Sequence, residues 1–271
     1  MIQSKLNQIN NFIVVTTCSQ EGYLEYGKDF LESFSLFNQE IPLIFVQDQQ
    51  IAEIHSKENI QVIQNNFASE IEVFLETFSH SCSESEFQFS PNRFIYKPTA
   101  IVSANNFLAK TNYKYMVWID ADTIFKRPGL LDSLKKIAPN DSQIASVFER
   151  FHSLHYLEAG LIIFNRDHGD LREYIENCCD IFISGNIFNF MEWHDAFIWS
   201  HLMNTYPPNS FRLLCKEFGI LGSHPIAAFD ILADKMDHLK GNNKSLGYSP
   251  EGRTILKNLQ NYLINRLQNF R

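Results

Sequence analysis

Short apolar runs alternate with longer stretches of helical spacing through the first half of this chain. Phe12 to Thr16 is a β-branched run that reads as a buried strand, and it ends in the small polar stretch Thr17–Gly22. Tyr23 to Phe37 has helical spacing, with Leu24, Phe30, Leu31, Phe34 and Phe37 on the expected core face. Pro42 introduces a second strand over Leu43–Val46, residues 60–63 give a short third, and Ile71–Phe78 reads as a helix. Ser79–Pro91, rich in Ser and Glu, is expected to be a mobile loop. Pro98 sits well in the first turn of a helix running to Lys110.

A buried strand at Tyr115–Ile119 follows, then a helix over Leu130–Ile137. Strands are expected at Gln143–Phe148 and Ala159–Phe164, and helices at Asp170–Phe182 and Asp195–Asn204. Residues 206–220 fit neither period. This order predicts an α/β fold, a mixed and mainly parallel sheet flanked by helices in one domain. Loops at the carboxyl ends of such strands are where open sheets place a ligand. No repeat or long linker divides residues 1–250. Thr254–Phe270 carries Ile255, Leu256, Leu259, Tyr262, Leu263, Leu267 and Phe270 at helical spacing, so residues 251–271 are expected to dock on the body as an amphipathic helix. Dimerisation or peripheral membrane contact are the other uses of such a face, and the sequence leaves the oligomeric state open.

Composition changes this picture only at the margins. The 271 residues are 45% hydrophobic and 20% charged, as expected of a globular chain, and 24 Phe point to a ring-packed core. A formal net charge of −8 with no basic stripe excludes a nucleic-acid polymer as the main partner. Cys18, Cys82, Cys178, Cys179 and Cys215 match no zinc spacing, and Cys178 and Cys179 read as packing residues. No apolar run approaches the roughly 18 residues of a membrane-spanning helix. Phe12–Val15 is too short for the core of a signal peptide. A reducing, cytoplasmic location is the expectation.

The chemistry concentrates at Trp118-Ile-Asp120-Ala121-Asp122-Thr123. Strand side chains alternate, so Asp120 and Asp122 are expected on one side. Two carboxylates at the end of a buried strand are costly unless a positive charge stands between them. Mg²⁺ or Mn²⁺ suits such an oxygen pair. The pair then holds a phosphorylated ligand. The competing reading is a solvated turn whose carboxylates cap the next segment.

In order and motif the chain resembles glycosyltransferases of the GT-A fold, above all the glycogenin and galactosyltransferase-like group, family eight. Trp118–Thr123 is similar to the strand and Asp-Ala-Asp that bind Mn²⁺ on a nucleotide-sugar diphosphate. Leu157–Asn165 resembles the apolar strand near the sugar, with Glu158 in place of a small or amide residue. Trp193-His194-Asp195-Ala196 stands where such enzymes have Asp-Gln, with Ala196 replacing Gln. His238-Leu-Lys-Gly241-Asn-Asn-Lys244 looks like a late His-x-x-Gly-x-x-Lys motif, followed here by Ser245-Leu246 rather than Pro-Trp. The resemblance implies a nucleotide-sugar donor, expected to be UDP-linked, and a saccharide, glycan or protein-linked acceptor. It also implies that Asp120, Asp122 and His238 hold the metal, that Lys244 holds diphosphate, and that the reaction retains configuration.

The chemistry supports that reading independently. Departure of a nucleoside diphosphate concentrates negative charge that a divalent ion and a nearby lysine stabilise. Imidazole is an acceptable further ligand for Mn²⁺. Thr17 and the Cys18 backbone are candidates to read the base, and Asp48 the base or ribose. The Ala121 backbone and Lys97 are candidates for the diphosphate. Asp195 is the candidate carboxylate near the reacting carbon, with Glu158 and Glu192 as alternatives. An inverting enzyme needs one of these as general base. Two other classes share parts of the pattern: a haloacid-dehalogenase-like phosphatase, with Asp-x-Asp after an apolar strand, and a nucleotide-sugar-binding module without turnover.

Overall fold

Why the apolar runs are continuous rather than alternating becomes plain in the computed structural model, which describes residues 11–48, 54, 58–82, 86–150, 156–220 and 224–239. Strands β1 (Phe12–Thr17), β2 (Leu43–Gln47), β3 (Ile60–Gln64), β4 (Tyr115–Ile119), β6 (Ala145–Glu149), β7 (Leu157–Asn165) and β8 (Phe211–Leu213) form one sheet in the order β3-β2-β1-β4-β7-β6-β8. Helices cover both faces, so β1, β2, β4 and β7 are buried along nearly their whole length, whereas edge strand β3 leaves Gln61 and Gln64 exposed. Phe12 and Val14 of β1 pack on one side, and Ile13 and Val15 on the other.

Helix α1 (Lys28–Phe37) covers the first face with Phe30 and Phe34, joined by Leu130 and Leu134 of the later helix over Leu130–Ile137. The opposite face is covered by helix α2 (Ala68–Phe78), through Ile71 and Phe74, and by helix α3 (Tyr96–Phe107), through Ile101. In chain order the Leu130–Ile137 helix is α4. Helices α5 (Leu171–Ile183) and α6 (Asp195–Met203) add Tyr174 and Trp199 to the second layer. Cys178 and Cys179 both lie buried in this layer as packing residues.

Strands β1 to β4 are parallel to one another. Strand β7 runs antiparallel to β4 and to β6, and β8 is parallel to β6. The sheet is therefore mixed and mainly parallel. A separate two-stranded ribbon, β5 (Thr123–Phe125) with β9 (Met236–His238), follows the end of β4.

Some local expectations are corrected. Leu24 is 65% exposed rather than on the core face. The chain enters α1 through a helical turn at Gln20–Gly22 and a π-turn at Tyr23–Gly27. The wider π-turn shifts the phase of the helix, burying Tyr23 and turning Leu24 outward. The described part of Ser79–Pro91 forms short 3-10 turns, and the Gln88 carbonyl accepts the Trp193 amide at 2.7 Å. Residues 206–220 resolve into β8 and helix α7 (Leu214–Phe218). Gly241, Lys244 and the expected C-terminal helix lie outside the described residues. Among the described residues, no helix is long and apolar enough to cross a membrane.

Candidate functional site

Asp120 is the first residue beyond β4, and its place follows from strand alternation. The side chain falls on the same side as Trp118, whose indole N–H donates to Asp120 Oδ1 at 2.7 Å. Asp122 is brought back beside it by a turn rather than by continued alternation, because the chain leaves the strand at Asp120. The Asp120 amide donates to the Gly160 carbonyl at 3.0 Å, which pins this turn to β7.

The third member comes from far along the sequence. In the β5–β9 ribbon Thr123 stands opposite His238, and the Leu239 amide donates to the Asp122 carbonyl at 2.8 Å. That register sets His238 Nε2 3.1 Å from Asp122 Oδ1 and 3.6 Å from Asp120 Oδ2. One donor atom from each of Asp120, Asp122 and His238 lies within 4.8 Å of the others. His238 is buried, while both carboxylates reach partly toward solvent. Two hard carboxylate oxygens and one imidazole nitrogen fit Mn²⁺ or Mg²⁺.

Lys97, on the first turn of α3, bridges the two candidate carboxylates. Its Nζ lies 2.7 Å from Asp120 Oδ1 and 2.5 Å from Asp195 Oδ2, and it donates to the Ala159 carbonyl at 3.2 Å. An ammonium has three donors, and three oxygens stand close round this one, so a diphosphate oxygen would compete with them for Lys97. Burial opposes its charge, but Asp120 and Asp195 outweigh this and hold its pKa above the ordinary lysine value. The ammonium also lies 5.5 Å from the centroid of the Trp118 ring.

Asp195 is buried at the start of α6, next to His194, whose ring accepts the Phe197 amide at 3.3 Å as a helix cap. Glu158 is also buried, but it stands on the other side of His238. Its Oε1 is 3.9 Å from Nδ1, whereas Nε2 faces the two aspartates. Arg150 pairs with Oε2, and the Gly160 amide donates to Oε1 at 3.2 Å. Glu192, the other alternative, holds His194 Nε2 at 2.7 Å.

A cleft of about 470 Å³ opens in front of Asp120, Ala121 and Asp122. Thr17, Cys18, Tyr26, Arg93, Phe94, Tyr96 and Lys97 are among its walls. A second hollow of about 440 Å³ shares Cys18, Ser19 and Tyr96 with it and reaches Asp48. The two adjoin through these shared residues at the carboxyl ends of β1, β2 and β4, the place expected of an open α/β sheet.

The Thr17 hydroxyl donates to the Val46 carbonyl at 2.6 Å, tying β1 to β2. Asp48 Oδ1 accepts from Asn65 at 2.6 Å. Burial raises the Asp48 carboxyl to about 6 despite that bond. Burial, then Asp122 and Asp48, push the Cys18 thiol up to about 12, so it stays protonated between the two ends of the groove. Sequence reasoning missed Trp118 as a partner of Asp120, and Tyr26, Arg93 and Tyr96 as groove walls. Gly27 within the apparent helix was the available signal, since glycine there marks an irregularity.

With this geometry in view, the architecture can be compared with known proteins. No protein-family model matches the sequence, and no curated protein does. A solved glycosyltransferase involved in the glycosylation of the major capsid of PBCV-1 aligns over 87% of this chain and 97% of its own, with TM-score 0.50 and 8% identity. The fold is GT-A. Mouse xyloside xylosyltransferase 1 aligns over 75% of this chain and 85% of its own, with TM-score 0.46 and 11% identity. The glycosyltransferase GlyE of Streptococcus pneumoniae TIGR4 aligns over 76% of this chain, with TM-score 0.41 and 14% identity, and this chain spans only 46% of GlyE. At 8% identity the likeness to the PBCV-1 glycosyltransferase speaks to architecture alone. In the GT-A frame of this chain the Asp-x-Asp turn follows the central strand β4, and the groove crosses the strand ends beside it.

Proposed function

We propose that this chain is a metal-dependent glycosyltransferase that moves a sugar from a nucleoside-diphosphate donor, UDP-linked, to a saccharide, glycan or protein-linked acceptor. One observation carries the reading. Asp120 and Asp122 and, more than a hundred residues further along, His238 converge within 4.8 Å at the mouth of a groove on a GT-A sheet. The local charge balance supports it. Asp120, Asp122, Asp195 and Glu158 outnumber Lys97 and Arg150, so a divalent cation would relieve the excess.

In this reading Asp120, Asp122 and His238 hold Mn²⁺ or Mg²⁺ against the donor diphosphate. The bound ion supplies Lewis-acid stabilisation of the charge that collects on the diphosphate as the bond to the anomeric carbon breaks. The chain's own groups do the rest. Asp48 accepts a hydrogen bond from the nucleoside, and Tyr96 and Cys18 line the passage between nucleoside and diphosphate. The Ala121 backbone and Arg93, both in the walls of the cleft, face the diphosphate, with Lys244 as a further cation from the late motif. Lys97 fixes Asp120 and Asp195 relative to one another. Asp195 then positions the sugar, and retention at the anomeric carbon is the expected course.

The test is UDP binding and UDP-sugar hydrolysis with and without Mn²⁺, in wild type and Asp122→Asn. Metal-dependent binding that the substitution abolishes supports the proposal. Metal-independent binding that survives Asp122→Asn overturns it. Turnover of p-nitrophenyl phosphate would favour a phosphatase, and ligand-induced stabilisation without product a binding module.

A further inference from the structure

Glu158 has no place in the groove, yet a buried carboxylate at 3% exposure needs a reason. Its neighbours supply one. Oε2 is taken by the Arg150 guanidinium and Oε1 by the Gly160 amide, so the carboxylate is held from two directions. His238 also stands close, with Nδ1 3.9 Å from Oε1. The other ring nitrogen, Nε2, looks toward Asp122 and Asp120. The imidazole thus stands between one fixed carboxylate and a facing pair.

We propose that Glu158 is the positioning residue for His238: its fixed negative charge, 3.9 Å from Nδ1 and so beyond direct hydrogen-bond reach, favours the proton on that nitrogen and leaves the Nε2 lone pair for a divalent cation between Asp120 and Asp122. The assignment rests on the metal reading above. Arg150 and Gly160 keep Glu158 from swinging round the ring to become a ligand itself. A carboxylate behind a metal-binding imidazole fixes its tautomer and raises its basicity. Gly160 serves the same arrangement, since a Cβ built there would stand 2.2 Å from His238 Cε1. Strand β7 therefore supplies the back wall of the centre through two residues that do not line the cleft. Glu158 moves from candidate catalytic base to this role because its carboxylate faces Nδ1 and Arg150 rather than the groove.

The experiment uses the full chain. Mn²⁺ affinity is measured by electron paramagnetic resonance for wild type, Glu158→Gln and the double variant Arg150→Met/Glu158→Gln, which avoids leaving Arg150 unpaired. The His238 ring nitrogens are followed by ¹⁵N NMR in the Mg²⁺-loaded forms. Wild type is expected to show a protonated Nδ1 and a lone pair on Nε2. Both variants are expected to bind Mn²⁺ about 10- to 100-fold more weakly, with the Nδ1–H signal shifted or averaged. Variants that bind within twofold of wild type, with unchanged His238 signals, overturn this inference alone. Wild type that binds neither ion overturns the metal reading and this inference with it.

Discussion

Gly160 and His238 share a space that admits only one side chain. A Cβ on Gly160 would lie 2.2 Å from Cε1 and 2.6 Å from Nδ1 of the imidazole. The strand that backs the site is therefore cut away where the last ligand arrives.

Gly160→Ala tests that relationship directly. The methyl group must push His238 off its place, because a buried ring between β7 and the ribbon has little room to retreat. Mn²⁺ affinity is expected to fall at least tenfold, with a stability loss of about 1–3 kcal/mol typical of overpacking. Metal titration and urea unfolding on the same samples measure both. Unchanged metal affinity would show that His238 is not a ligand.

Lys97 holds two carboxylates in a poorly hydrated place, so removing it leaves both exposed to each other's charge. Lys97→Met is expected to cost about 3–5 kcal/mol, the range for breaking a buried pair from one side. Adding Asp195→Asn to that variant should recover part of the loss, since one stranded charge is then removed. Denaturant midpoints of the single and double variants give the comparison. A single variant as stable as wild type would contradict the bridge.

Asp48 gives the nucleoside end of the groove a pH signature. Burial, partly offset by Asn65, raises its carboxyl from 3.8 to about 6. The stability this group contributes is full below pH 3.8 and is lost as pH rises through about 6. Nucleotide affinity is expected to run the other way. A hydrogen-bond donor on the nucleoside prefers the ionised carboxylate, so UDP binding should strengthen as pH rises from 5 to 7. Asp48→Asn should flatten that dependence. A slope that survives the substitution assigns the titration elsewhere.

Tyr96 lies where the two hollows join. Tyr96→Ala is expected to weaken UDP binding by about 1–3 kcal/mol, the scale of losing a base-stacking ring. Mn²⁺ affinity without nucleotide should hold, because Tyr96 is not among the three candidate ligands. Calorimetry with UDP and with Mn²⁺ alone separates the two effects. Equal loss of both would mean that the ring supports the fold rather than the nucleotide.

Local pattern was enough for most of the frame. Continuous apolar runs such as Phe12–Thr16, Leu43–Val46 and Tyr115–Ile119 are buried on both faces wherever they sit, so their length and β-branching identified them as strands. Asp120 and Asp122 were legible for a similar reason, since an acidic pair has no packing role at the end of a core strand. Leu24 misled because a π-turn leaves no mark in a 3.6-residue period.

The sequence by itself determined strands β1 to β4, β6 and β7, helices α1 to α6 and the acidic pair, because each depends on the spacing of neighbours. Only the tertiary structure decided which distant groups meet them. The β5–β9 register brought His238 to Asp122, α3 brought Lys97 between Asp120 and Asp195, and β7 put Glu158 behind the imidazole rather than in the groove. Those meetings depend on how separate elements pack, and spacing along the chain carries no record of distance across it.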